Sequence, residues 1–361
     1  MTLSARSRYA TALAPLVLAL LALAAPAAVG QAAPEPAVKT AVEITGAYKA
    51  PRTSFGKPEL DGVWTNASVT RMDRPNGLPL VITEEQAAQL EGRALFNVRL
   101  KTEKDFVDPK APPPEKGKAL PGVGNYDVAF TDPGARVANI NGELRSSFLT
   151  YPENGRMPAL TEDGKKLRAS LGGRRGSGFD NPEERGLSER CLVVGTNGPP
   201  FGTYLYNNNF QIVATRDHVV VMSEMIHDAR IARIGGQHAT DTIQPWMGDS
   251  IAKWDGDTLV METTHINSTQ RGGSTLLSDT AKVTERFTRI SDHQLLYEFE
   301  VNDPTVYTSV WRGQMPLTRL DEKVFEYACH EGNHGLYNIL EGGRRNDRLG
   351  IAQTGGDQRA E

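Results

Sequence analysis

Short apolar runs recur from Asn209 onward at the 8–12-residue spacing of all-β proteins, and this rhythm limits the fold more than any other feature of the chain. The candidate strands are 210–215, 219–224, 229–234, 250–254, 258–266, 282–290, 294–301, 305–313 and 324–329. Turn chemistry stands between them: Arg216-Asp217, Gly235-Gly236, Asp255-Gly256, Ser291-Asp292-His293 and Asp303-Pro304. Links this short join antiparallel neighbours, whereas parallel pairs need a crossover. Leu295, Tyr297, Phe299 and Val301 share one strand face and Glu298 and Glu300 the other, the period of two of a half-buried strand. The fold expected is mainly β: an antiparallel meander over 209–340, closed as a barrel or stacked as a sandwich.

Ahead of the meander, 56–208 reads as a strand, helix and loop region packing on it. Thr83-Glu84-Glu85-Gln86 is a capping box, and Ala87, Leu90, Ala94 and Leu95 follow at helical spacing, so a helix runs to about Leu100. The proline-rich stretch 108–122 is an extended connection. A strand is expected over 146–151, and Thr161 caps a second helix ending at Gly172-Gly173. The loop 174–190 leads into Cys191.

The ends of the chain read differently. Arg6 and Arg8 precede a short apolar run and small residues, so 1–33 reads as a secretory signal peptide, 34–55 as a linker, and 341–361 as a flexible tail. The expected location is periplasmic or secreted, without membrane association after signal removal. A net charge of −4 gives no electrostatic footprint for nucleic acid. In an exported protein the two cysteines, Cys191 and Cys329, read as one disulfide.

Chemistry concentrates in 218–234. There an apolar strand is interrupted by Glu224, His227, Asp228 and Arg230, four ionisable groups within seven residues. Charge in a β-rich core is paired, hydrogen-bonded or turned to a cavity. If the strand stays regular, Glu224 shares the face of Val220 and Met222, and burial would raise its pKa toward general acid–base use. The alternative is a Glu224–Arg230 ion pair closing a turn. Asp228 and Arg230, two apart, share a face and can pair. A disulfide would fix His330 and Glu331 beside the Arg190 loop. A metal set of His227, His265 and His330 with Glu224, Asp228 or Glu331 is also conceivable, although no ligand spacing in the sequence announces it. No nucleophile elbow or phosphate loop is present.

Several motifs resemble a family of exported bacterial proteins of acidobacteria and sphingomonad-type proteobacteria. They include Tyr206-Asn207-Asn208-Asn209-Phe210-Gln211-Ile212-Val213, Glu224-Met225-Ile226-His227-Asp228-Ala229-Arg230-Ile231, Trp246-Met247-Gly248-Asp249-Ser250, Glu285-Arg286-Phe287 and Tyr327-Ala328-Cys329-His330-Glu331-Gly332-Asn333. The resemblance brings no activity with it. It implies less weight for His265 and His334, whose positions usually carry Asn and Tyr in that family. More remotely, Gly62-Val63-Trp64 and the meander are similar to lipocalin-like barrels.

The function expected is acid–base catalysis on a small organic molecule in a β-barrel cavity, of lyase, hydratase or isomerase type. His227 or His330 would be the base, and Glu224 or Glu331 the acid or orienting group. Asp228, Arg230, Arg286, Tyr206 and Trp311 would contact substrate, and no cofactor is required. The alternatives are a non-catalytic binding protein for an amphiphilic or phenolic ligand, and a metal-dependent hydrolase using a divalent ion.

Overall fold

Nine strands close on themselves in the computed structural model. It describes residues 48–102, 131–172, 179–194, 197–240, 243–268, 271–272 and 275–351. The expected signal peptide, most of the linker, the proline-rich connection and the last ten residues lie outside the described residues.

The barrel strands are β1 (Gly62–Thr65), β2 (Asn209–Ala214), β3 (His218–Ser223), β4 (Ala229–Ile234), β5 (Asp249–Asp255), β6 (Thr258–Thr264), β7 (Lys282–Arg289), β8 (Gln294–Asn302) and β9 (Trp311–Leu320). Each pairs with the next, and β1 pairs with both β2 and β9, which closes the ring through Trp64↔Phe210 and Trp64↔Arg319. One strand therefore comes from outside the 209–340 span expected to supply them all. The strand Leu149–Tyr151 adds to β9 beyond the closure.

Two departures from the expected meander have physical reasons. β4 and β5 run parallel, with Ala232↔Ser250 and Ile234↔Ala252, because the link 235–248 crosses over instead of turning back. The barrel is thus mixed rather than strictly antiparallel. The last two expected strands also shift. Asp303 folds 303–307 into a turn by accepting the backbone N–H groups of Val306 and Tyr307 on its carbonyl, so the strand begins only at Trp311. Residues 324–329 form no strand, since β1 already occupies the edge of β9 that would otherwise pair with them.

Alternation fills the interior. Inward-facing side chains include Trp64, Ile212, Val221, Met261, Phe287, Tyr297, Phe299 and Leu317, all essentially buried. Gly313 is required here, because a Cβ would lie 2.2 Å from Phe299 Cζ. Phe201 enters from the loop before β2 and stacks on Phe210 and Tyr297 at 4.1 and 4.7 Å. Complete burial of such a ring contributes about 1.5–3 kcal/mol.

Helices decorate the barrel. α1 (Glu84–Arg93) carries the capping box as read, with Thr83 accepting from Gln86 N and Gln86 accepting from Thr83 N. α2 (Leu95–Thr102) follows at once, and α3 (Glu162–Gly172) starts where Thr161 accepts from Gly164 N. α4 (His334–Arg348) is capped by Asn333, which accepts from Leu336 N. Residues 341–348, expected as tail, are therefore helical, and Leu340 and Gly343 are buried. Among the described residues no helix is long and apolar enough to cross a membrane.

Candidate metal centre

The interrupted stretch 218–234 does not continue as a regular strand. β3 turns Val219, Val221 and Ser223 inward and ends there, and Glu224 takes a helical conformation. Ile226 and His227 then adopt left-handed backbone with φ of 60° and 47°. The expected alternation consequently fails at Glu224. Its carboxylate is buried, but between Asn207 Nδ2 at 2.6 Å and Asn209 Nδ2 at 2.9 Å rather than in an apolar face. It forms no pair with Arg230.

His227 is exposed, and its Nδ1–H donates to the carbonyl of Tyr327 at 3.1 Å. The Cys191–Cys329 disulfide forms, so the segment expected to approach from the far end of the chain does so. His330 and Glu331, however, are exposed on the turn before α4, and among the described residues no hydrogen bond links them to Glu224 or His227. Asp228 accepts from Asn197 Nδ2 at 3.2 Å. Burial pushes its carboxyl up to about 6, against the pull of Asn197 and His227.

Arg230 corrects the sequence reading most sharply. Its guanidinium pairs not with Asp228 but, bidentately, with Glu285 across the lumen, and both side chains are sealed from solvent. Tyr297 donates to the same carboxylate at 2.7 Å, Phe201 N donates to Tyr297 Oη at 3.1 Å, and the Phe201 ring lies 5.2 Å from the Arg230 guanidinium carbon. Burial, reinforced by the Glu285 charge, holds the Tyr297 hydroxyl well above its ordinary pKa, so it remains a donor. Arg230, expected to contact substrate, is thus engaged with Glu285 inside the barrel, and Trp311, expected likewise, is buried edge-on against Phe299 and Tyr307. Tyr206 stands half-buried with its ring against Tyr204. Arg286 lies on the outer wall and pairs with Asp255 at 2.9 Å.

A different cluster has the arrangement of a site. His238, Asp249 and His265 place three candidate ligand atoms within 4.8 Å of one another beside the barrel, all half-buried. The fold explains the convergence. The crossover 235–248 carries His238, Asp249 opens β5, and its register partner Thr264 closes β6, so His265 emerges at the same barrel end. Gly248 permits the approach: its φ is +76°, and a Cβ there would lie 2.7 Å from both Thr263 Cγ2 and the Thr264 carbonyl.

Hydrogen bonds fix the orientation of each group. Asp249 Oδ1 accepts from Arg233 at 2.8 Å, and Oδ2 accepts from Ala239 N at 3.0 Å and from His238 Nδ1 at 2.8 Å. Burial pushes the Asp249 carboxyl up, but the Arg233, Ala239 and His238 bonds outweigh it and keep it below its usual value. Because a carboxylate only accepts, Nδ1 of His238 must carry a proton. Its Nε2 is buried without a hydrogen bond, 3.4 Å from Glu262 Oε1. Lys282 holds the other oxygen of Glu262 at 2.6 Å. His265 Nδ1 meets Thr264 Oγ1 at 2.9 Å.

The outer wall next to Glu262 forms an open groove of about 640 Å³, lined by Gly235, Gly236, Lys253, Glu262, Thr284 and Arg286 among others. His238, Asp249 and His265 are not among its lining residues, and Glu262 connects it to them. Glu262 pairs in register with Thr284, and Val260 with Arg286, so Arg286 stands two residues, about 7 Å, further along the wall.

No protein-family model, curated protein or solved structure matches the chain. Of the metal set considered from sequence, only His265 takes part, and His238 and Asp249 come from elsewhere. Asp249 lies in a quoted motif and His238 follows Gly235-Gly236, but their separation is fixed by a crossover that local spacing does not encode. Glu285 was legible only within the Glu285-Arg286-Phe287 motif and Tyr297 only as a strand member, neither as a partner of Arg230.

Proposed function

We propose that the protein binds a divalent metal ion through His238, Asp249 and His265 and acts as a metal-dependent hydrolase on a small molecule held in the adjoining groove. The observation carrying this reading is the convergence of three ligand atoms of the right types within 4.8 Å on groups already oriented by their neighbours. Two imidazoles and a carboxylate suit zinc or another first-row ion. The bonds from Arg233 and Thr264 are the kind of outer contacts that orient ligands. Three protein ligands leave a coordination position for water, and the ion would supply a Lewis acid and an activated water there.

The remaining residues have defined tasks. Glu262, held by Lys282, faces the buried Nε2 of His238 and stands at the edge of the groove, where it can accept a proton from water. Arg286 and Lys253 offer positive charge further along the wall for an anionic part of the substrate. A lumen site for lyase or isomerase chemistry has less support, because packed side chains fill the barrel interior. Membership of the exported bacterial family, and with it a periplasmic or secreted setting, belongs to the same proposal.

The test is hydrolysis of p-nitrophenyl acetate and p-nitrophenyl phosphate by protein dialysed against EDTA, before and after addition of zinc or manganese. Activity restored by metal in the native chain and absent from His238→Ala and His265→Ala is the expected outcome. Equal turnover by the metal-free protein contradicts it.

A further inference from the structure

A second concave surface, a cleft of about 890 Å³, lies between the segment 68–75, the α1–α2 junction and the loop 203–205. Four guanidinium groups line it: Arg71, Arg74, Arg93 and Arg156. Among the described residues lining it, Asp73 is the one carboxylate, and it accepts the backbone N–H of Met157 at 3.2 Å. Arg74 donates only to neutral oxygens, the carbonyls of Glu153 at 2.7 Å and Leu149 at 3.3 Å and Ser147 Oγ at 3.4 Å. Burial without a counter-charge pulls its pKa below the ordinary arginine value. Arg156 donates to Asn76 Oδ1. Arg71 and Arg93 are exposed, and among the described residues none of the four forms an ion pair, whereas nearby Arg136 pairs with Glu91 at 3.2 Å.

Other parts of the wall are apolar and uncovered. Leu95, Tyr204 and Leu205 are 71%, 42% and 50% exposed, and Phe96 adjoins them. Large apolar side chains gathered on a surface mark an interaction site more often than singly scattered ones do. Two unfavourable features thus meet in one place: an excess of like charges that form no ion pair among the described residues, and apolar surface in water. One kind of occupant relieves both. The volume falls in the range of small-molecule sites.

We propose that this cleft binds a small amphiphilic anion, with a carboxylate or sulfonate head against Arg71 and Arg93 and an apolar body on Leu95, Tyr204 and Leu205. Guanidinium forks match such heads with paired, charge-assisted hydrogen bonds. The site is separate from the metal cluster and does not depend on it.

The test uses the full chain and 8-anilinonaphthalene-1-sulfonate as a fluorescent probe, with neutral N-phenyl-1-naphthylamine as its uncharged counterpart. Saturable one-to-one binding of the sulfonate is expected, weakened by salt, insensitive to EDTA and at least about tenfold tighter than binding of the neutral probe. The double variant Arg71→Gln/Arg93→Gln, checked for an unchanged thermal midpoint, should lose about tenfold in affinity or more. Leu205→Ser should weaken both probes. Dissolved decanoate should displace the sulfonate, and the protein should not co-sediment with phosphatidylglycerol vesicles. Equal binding of the two probes, an unchanged double variant, absence of binding, or capture by vesicles instead of displacement by decanoate would each overturn the proposal.

Discussion

Two clusters of ionisable groups sit within the same barrel, one inside and one on the wall, and they differ in their access to solvent. Inside, Arg230 and Glu285 satisfy each other bidentately, Tyr297 adds a third bond, and Phe201 covers the guanidinium. On the wall, His238, Asp249 and His265 are half-buried, Glu262 connects them to an open groove, and His238 Nε2 has no hydrogen bond. A cluster paired internally and sealed from solvent holds strands together, even with Arg230 Nε left without a hydrogen bond. A cluster with residual ligand capacity and access to solvent can do chemistry. Density of charge alone does not separate the two cases.

Cutting the interior pair should carry the largest cost. Removing one partner of a buried ion pair leaves an uncompensated charge, so Glu285→Gln or Arg230→Met should destabilise by about 3–5 kcal/mol in denaturant unfolding. The joint replacement Arg230→Met/Glu285→Leu should recover most of that loss, because apolar residues avoid the desolvation penalty altogether. A loss below about 1 kcal/mol in the single variants would deny the interior cluster its structural role.

The wall cluster should behave in the opposite way. His238→Ala is expected to weaken zinc binding by about 100-fold, equivalent to roughly 2.7 kcal/mol, with little change in the unfolding midpoint. Calorimetric titration checks the affinity and circular dichroism the fold. Asp249→Asn should cost about 10–100-fold in affinity, whether that carboxylate holds the ion or orients His238.

Asp228 gives a smaller, pH-dependent effect. Its folded carboxyl titrates at about 6, above the value of 3.8 it has when unperturbed. The folded state therefore binds this proton more tightly, and the contribution is favourable below the unfolded pKa and lost as pH rises through about 6. Asp228→Asn should flatten stability between about pH 4 and 6 and stabilise at pH 7 by about 1 kcal/mol, the shift being discounted for a partly exposed group. Unfolding at several pH values in both proteins measures the difference. The least change in stability is expected for Arg286→Ala, which breaks an exposed pair with Asp255. Its unfolding midpoint should stay in place while KM for an anionic substrate rises.

Much of the barrel was legible because alternation is a local signal. The inward face of β8 could be read from Leu295, Tyr297, Phe299 and Val301, and the disulfide from the pair Cys191 and Cys329. The capping boundary at Thr83 was equally local. Closure as a barrel was one of the two readings, but the strand that closes it was not legible, since β1 lies far ahead in sequence and takes the edge that residues 324–329 would otherwise have paired with. The site was missed for the same reason. His238 reaches Asp249 only because 235–248 is a crossover, and the sequence reads Gly235-Gly236 as a hairpin turn. The conspicuous run Glu224, His227, Asp228, Arg230 drew the functional reading, yet its backbone turns left-handed at Ile226 and His227 and distributes those side chains to four different environments.

Whether the wall cluster holds an ion is measured directly by elemental analysis of the purified full chain. The prediction is about one equivalent of a divalent transition metal, chiefly zinc, per chain after zinc loading and desalting, falling to background in His238→Ala/His265→Ala and unchanged in Asp228→Asn. Absence of stoichiometric metal in the native protein, or equal retention by the double histidine variant, would contradict it.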